Sequence, residues 1–114
     1  MIDFTPEIVA ALKTILPTHY ELKLSSGIQL PCISYQERSN IAQETGETIG
    51  YSRISYTVKV WGNDLEQLNL YAKQIDDVLR PMGWKRTGAQ ELYSLQSVVI
   101  QKILTYEALA LETF

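Results

Sequence analysis

Tyr51-Ser52-Arg53-Ile54-Ser55-Tyr56-Thr57-Val58-Lys59-Val60-Trp61 decides the reading of this chain. Ile54, Tyr56, Val58 and Val60 alternate with Arg53, Ser55, Thr57 and Lys59, the period of two expected of a strand with one apolar and one wet face. A doubly wound parallel sheet is covered on both sides and would need a continuous apolar run here. The segment therefore predicts an antiparallel sheet covered on one side only.

The covering element follows directly. Asn63-Asp64-Leu65-Glu66 reads as a helix start, with Asn63 as an N-cap three residues before Glu66 and Asp64 suited to the positive end of the helix. Leu65, Leu68, Ala72, Ile75 and Leu79, supported by Tyr71 and Val78, form a stripe at helical spacing that fits the apolar sheet face. Pro81 and Gly83 close the helix, Trp84-Lys85-Arg86 begins a short return strand, and Gly88 to Glu91 reads as a turn. Ser97 to Ala108 predicts a long final strand with a largely buried centre at Val98, Val99, Ile100, Ile103 and Leu104.

Upstream, Thr5 as N-cap, Pro6 at the first turn and Phe4 stapled on Val9 start a short helix that places Ile8, Leu12, Ile15 and Leu16 on one face before Pro17. Tyr20, Leu22 and Leu24 alternate with Glu21 and Lys23, predicting a short strand that ends at Ser25-Ser26-Gly27. Pro31 lacks a backbone donor, so the next strand begins near Cys32 or runs along an edge. Residues 38–50 hold few apolar side chains and predict a long polar loop between two strands. The whole is one α+β domain over 1–114, with a mostly antiparallel sheet of about four to five strands and two helices packed on one face.

Composition bounds the function classes. A chain of 114 residues can bury roughly two-thirds of its unfolded surface, enough for one core. Charged residues at 20% and hydrophobic ones at 46% are ordinary for a globular protein. No run approaches the roughly 18 apolar residues that span a bilayer, and Met1-Ile2-Asp3-Phe4 lacks a basic secretory start, so no membrane partner and synthesis inside a cell are expected. A net charge of −3 argues against gripping a phosphate backbone, which takes clustered Lys and Arg.

The residues that carry chemistry are scattered. His19 is the sole histidine and Cys32 the sole cysteine, so neither a His- nor a Cys-based metal site has its partners, and Cys32 reads as a small buried hydrophobe. Asp76 and Asp77 resemble a carboxylate pair, but Arg80 and Lys73 stand four residues away from them and supply ordinary helical ion pairs. Gly46 and Gly50 lack the spacing of a phosphate loop. Tyr35, Tyr51 and Tyr56 with Trp61 could stack bases, but the paired RNA-binding motifs with interleaved basic residues are missing, and strand aromatics at a core or subunit interface are the better reading. No catalytic, cofactor-binding or metal-ligating residues are assigned, and the expectation is a protein that is not an enzyme.

The N-terminal helix, the strand at Pro31-Cys32-Ile33-Ser34-Tyr35-Gln36, the polar loop, the strand Tyr56 to Trp61 running straight into a helix, and the return at Gly83-Trp84-Lys85-Arg86 resemble the tail-terminator, or tail-completion, proteins of long-tailed bacteriophages and prophages. The resemblance implies a small α+β subunit forming a homo-oligomeric ring, commonly a hexamer. Such a ring caps the tail tube protein, presents a surface to a head-completion or connector protein, and lets DNA pass without specific binding. It implies a virion tail component made in the bacterial host cytoplasm. Another neck or minor tail component fits the same features, and a ferredoxin-like nucleic-acid-binding module is the alternative from a different class. Exposure and loop logic nominate Tyr51, Arg53, Lys59 and Trp61 for contacts between subunits or with the tube. The same logic nominates Arg38, Ile41, Glu44, Glu47 and Ile49 for a loop that orders on assembly.

Overall fold

A computed structural model describes residues 4–20, 29–44, 49–93 and 99–113, with side-chain surroundings described for all of these except 39–44, 49–52 and 110–113. The chain runs α1 (Thr5–Lys13), β1 (Thr18–Tyr20), β2 (Cys32–Glu44), β3 (Ile49–Gly62), α2 (Leu65–Leu79), a 3-10 turn (Arg80–Met82), β4 (Lys85–Tyr93) and β5 (Ile100–Thr113). The strands form one sheet in the order β1-β2-β3-β5-β4, antiparallel throughout except for β1, which pairs parallel to β2 through Thr18, His19 and Tyr20. The fold is α+β, as the alternation in β3 predicts.

The core lies where that alternation meets the helical stripe. Ile54, Tyr56, Val58 and Val60 of β3 are buried, as are Leu68, Ala72, Ile75 and Leu79 of α2, Ile8 and Leu12 of α1, and Leu104 and Tyr106 of β5. Burying an aliphatic side chain of this kind contributes about 1.5–3 kcal/mol, which is why stripe and strand face find each other. Helix and strand approach closely at Gly62, where a Cβ would stand 2.8 Å from Leu68 Cδ2. Trp84 closes the other end of the core, with Tyr56 and Phe4 edge-on to its indole at 5.4 and 6.1 Å between ring centroids.

Several boundaries differ from expectation, each for a local reason. Asp64 rather than Asn63 caps α2, its carboxylate accepting the Glu66 N–H at 3.0 Å. Thr5 is not a cap either: Phe4 holds that position without a side-chain bond, and the Thr5 hydroxyl is hydrogen-bonded to the Tyr56 hydroxyl. The expected turn at Gly88 to Glu91 is strand, because β4 continues to Tyr93 against β5 and absorbs one extra residue between Arg86 and Gly88 as a bulge. The strand expected from Tyr20 to Leu24 is described only as far as Tyr20, and Ser97 and Val98 lie outside the described residues.

The largest correction concerns residues 38–50. In place of a long loop, β2 runs to Glu44 and β3 begins at Ile49, paired from Ser39↔Ser55 to Glu44↔Gly50. A polar stretch can pair as strand even without an apolar face to bury, because the ladder is made by backbone donors and acceptors. The consequence is an elongated molecule of 53 × 24 × 22 Å. At about 3.3 Å per residue, the 14 residues of β3 reach about 46 Å, whereas the 15 residues of α2 cover about 22 Å. The helix is therefore about half as long as the strand it packs against.

Candidate assembly surface

Cross-strand register assigns the residues of the face turned away from the helices. Lys59 of β3 stands between Ser34 and Ile103, Thr57 between Gln36 and Thr105, and Arg53 beside Leu109. This face is polar but not uniformly wet: Ser34, Thr57 and Ile103 are all less than a tenth exposed. Its centre is a shallow depression of about 420 Å³ that includes Gln36, Arg38, Thr57, Lys59 and Gln90. Thr57 Oγ1 lies buried at this depression without a hydrogen-bond partner.

The residues nominated from sequence separate on this face. Trp61 is a correction: it is 6% exposed, and its indole N–H donates to Ser34 Oγ at 2.9 Å, so it is an internal tie between β2 and β3 and offers no free surface. Ser34 lies diagonal to Trp61 across the ladder, within reach of a large side chain. Lys59 is half-buried, with Nζ 6.0 Å from the Trp61 ring centroid. Arg53 is exposed, and its Nε stands 3.6 Å from Glu107 Oε1. The backbone of Tyr51 pairs with Gln43 on one side and Leu111 on the other, while its side chain lies outside the described set.

The proposed loop residues are redistributed in the same way. Ile41 and Glu44 belong to β2, Ile49 opens β3, and Glu47 lies outside the described residues. Arg38 is exposed where the register of β2 shifts between Glu37 and Ser39, so it is the extra residue of a bulge. These residues belong largely to an extended hairpin rather than to a loop awaiting order.

A basic groove lies where β4 begins, and of its cations the sequence reading nominated only Arg53. One depression of about 480 Å³ includes Arg53, Gly83, Lys85, Glu107 and Leu109 in its lining, and a neighbouring one of about 420 Å³ is lined by Arg80, Gly83, Trp84, Lys85 and Arg86. Gly83 and Lys85 are common to both. The turn that gathers these cations depends on Gly83, whose φ of 96° is the left-handed conformation glycine adopts at low cost. Asp76 anchors the inner side, with Arg86 Nη1 at 3.0 Å from its carboxylate and Arg80 Nη2 at 4.0 Å. The i,i+4 pair read from sequence is thus the looser of the two, and Arg86, brought round by the turn, is the closer partner. Arg80, Lys85 and Arg86 within seven residues were the legible signal; Arg53 joins them only through the sheet.

Asp76 also accepts a hydrogen bond from the Tyr106 hydroxyl. Burial, followed by that bond, holds the Tyr106 phenol far above the ordinary tyrosine range. On the neighbouring strand Tyr56, directly opposite Tyr106 in the ladder, donates its hydroxyl to Glu37 Oε2 at 2.9 Å. Both phenols fasten strands to their neighbours from inside. Cys32 is fully buried, and burial pushes its thiol up, in keeping with a packing role. His19 is exposed on β1. Among the described residues no three His, Cys, Asp or Glu side chains gather as a metal site, and no helix is long and apolar enough to cross a membrane.

Neither a protein-family model nor any curated protein matches this chain.

Proposed function

We propose that this chain is a structural subunit of a long-tailed bacteriophage or prophage particle that assembles into a ring, caps the tail tube and offers the surface on which the head joins. The reading rests on the resemblance of its sequence to tail-terminator proteins. The observation that carries it is the shape of the sheet: long strands that outrun their covering helix and end in a face bearing exposed Arg53 and Leu109. A subunit of a closed ring must present two different patches to its neighbours, and a sheet open on one face and long in one direction supplies area for them. The same reading places the protein in the virion tail after synthesis in the host cytoplasm. Another neck or minor tail component would make the same demands on the surface.

Light scattering of the purified protein across concentration, followed by electron microscopy of the largest species, tests this directly. Closed rings, hexameric by the resemblance, are the expected result. The four cations around Gly83 favour one reading from another class, a small nucleic-acid-binding module. An oligonucleotide titration at low salt separates the two, since tight, salt-sensitive binding by a strict monomer would replace the ring reading.

A further inference from the structure

The basic groove adjoins an unfinished edge of the sheet. Strand β4 begins at Lys85 opposite Glu107, so β5 beyond Glu107 pairs with β3 on one side and, among the described residues, with no strand on the other. An uncovered edge leaves backbone donors and acceptors without partners, the usual invitation to another chain. Leu109 on this segment is 66% exposed, and Arg53 and Lys85 flank it. An apolar side chain, an edge that no described strand covers and two cations together suit a polypeptide; a phosphate backbone would use only the cations.

The charge of the chain indicates which polypeptide. Arg53, Arg80, Lys85 and Arg86 outnumber the two carboxylates among them, Asp76 and Glu107, leaving six basic against eleven acidic residues for the rest of the sequence. The remainder of the chain therefore carries a net charge opposite in sign to that of the groove. A two-fold contact of the groove with itself would oppose like charges, so the contact must join two different patches, the head-to-tail arrangement that closes into rings.

We infer that the groove formed by Arg53, Lys85 and the free edge of β5 at Leu109 is a subunit interface that receives an acidic surface of a second copy of this chain. The inference rests on the ring reading above and adds which surface does the joining.

The test compares R53E/K85E with K13E/K73E, which carries the same charge change on exposed helical positions away from the groove. Light scattering across concentration at low and high salt gives the assembly state, and near-ultraviolet circular dichroism checks the aromatic core. The groove variant is expected to self-associate at least about tenfold more weakly than wild type, while the control follows wild type and salt weakens both of those assemblies. A photoreactive benzoylphenylalanine in place of Leu109, on an otherwise native chain, is expected to capture a second copy. If wild type assembles but the Leu109 probe captures no second copy, or R53E/K85E assembles as wild type does, this interface is wrong and the ring reading stands. A single-chain mass for wild type at every concentration overturns both. Protection of the Leu109 probe by an oligonucleotide, with binding lost in R53E/K85E, overturns the inference in favour of a nucleic-acid site.

Discussion

The two ends of β3 are one continuous strand in different surroundings. From Ile54 to Val60 its apolar face meets α2, and each inward side chain is at most 1% exposed. Toward Ile49 the strand runs beyond the reach of the helix, held between β2 and β5 by the ladder. The covered end is fixed by burial; the free end is fixed by backbone pairing, which contributes little net stability per bond because water competes for the same groups. Extending a sheet past its core adds little to the stability of the fold, so under the ring proposal the free end is the surface offered to a neighbour.

The sharpest way to break this contrast is to truncate one apolar side chain at each end. Ile75→Ala, inside the covered core, is expected to cost about 2–5 kcal/mol in urea unfolding. Leu109→Ala on the free end is expected to change stability by less than about 0.5 kcal/mol yet weaken self-association. Equal effects on stability would mean that the free end has a core of its own.

A smaller effect is expected at the boundary. Trp61→Phe keeps an aromatic ring but removes the N–H that satisfies Ser34 Oγ, so the buried hydroxyl loses its partner at a cost of about 1–3 kcal/mol. A neutral result in thermal or urea unfolding would show that Trp61 is held by packing alone.

The smallest effect near neutrality concerns Tyr106. Its phenol is held protonated in the folded state beyond the ordinary value of about 10, so this contribution is fully present below about pH 10. As pH rises further the unfolded chain loses the proton first, and stability falls toward the raised folded value. Tyr106→Phe is expected to remove this part of the alkaline fall while leaving the fall due to other groups, measured as melting temperature between about pH 9 and 11. An unchanged pH profile would show that burial and the Asp76 bond do not raise the phenol.

Much of the covered end was legible in the residues. The alternation from Arg53 to Val60 and the stripe from Leu65 to Leu79 fix periods of 2 and 3.6 that only a strand and a helix satisfy, and both elements stand where those patterns are. The free end was misread because Arg38 to Gly50 has no apolar period, and a ladder made of backbone groups leaves none in the sequence. The candidate surface divided along the same line. Arg53 was nominated from its place on the wet face and is exposed, whereas Trp61 shares that face but is buried by a hydrogen bond to Ser34, 27 residues away.

The sequence by itself determined the period of each covered element, the face each would bury and the start of β2 after Pro31. These follow from local sterics and from the alternation of apolar and polar side chains, which neighbouring residues carry among themselves. Only the tertiary structure decided that residues 38–50 belong largely to a hairpin, that Asp76 is shared by Arg86 and Tyr106, and that Arg53 joins Lys85 beside an open strand edge. Each of those depends on which distant segments the sheet brings within a few ångströms. That is set by the closing of the core rather than by any pattern along the chain.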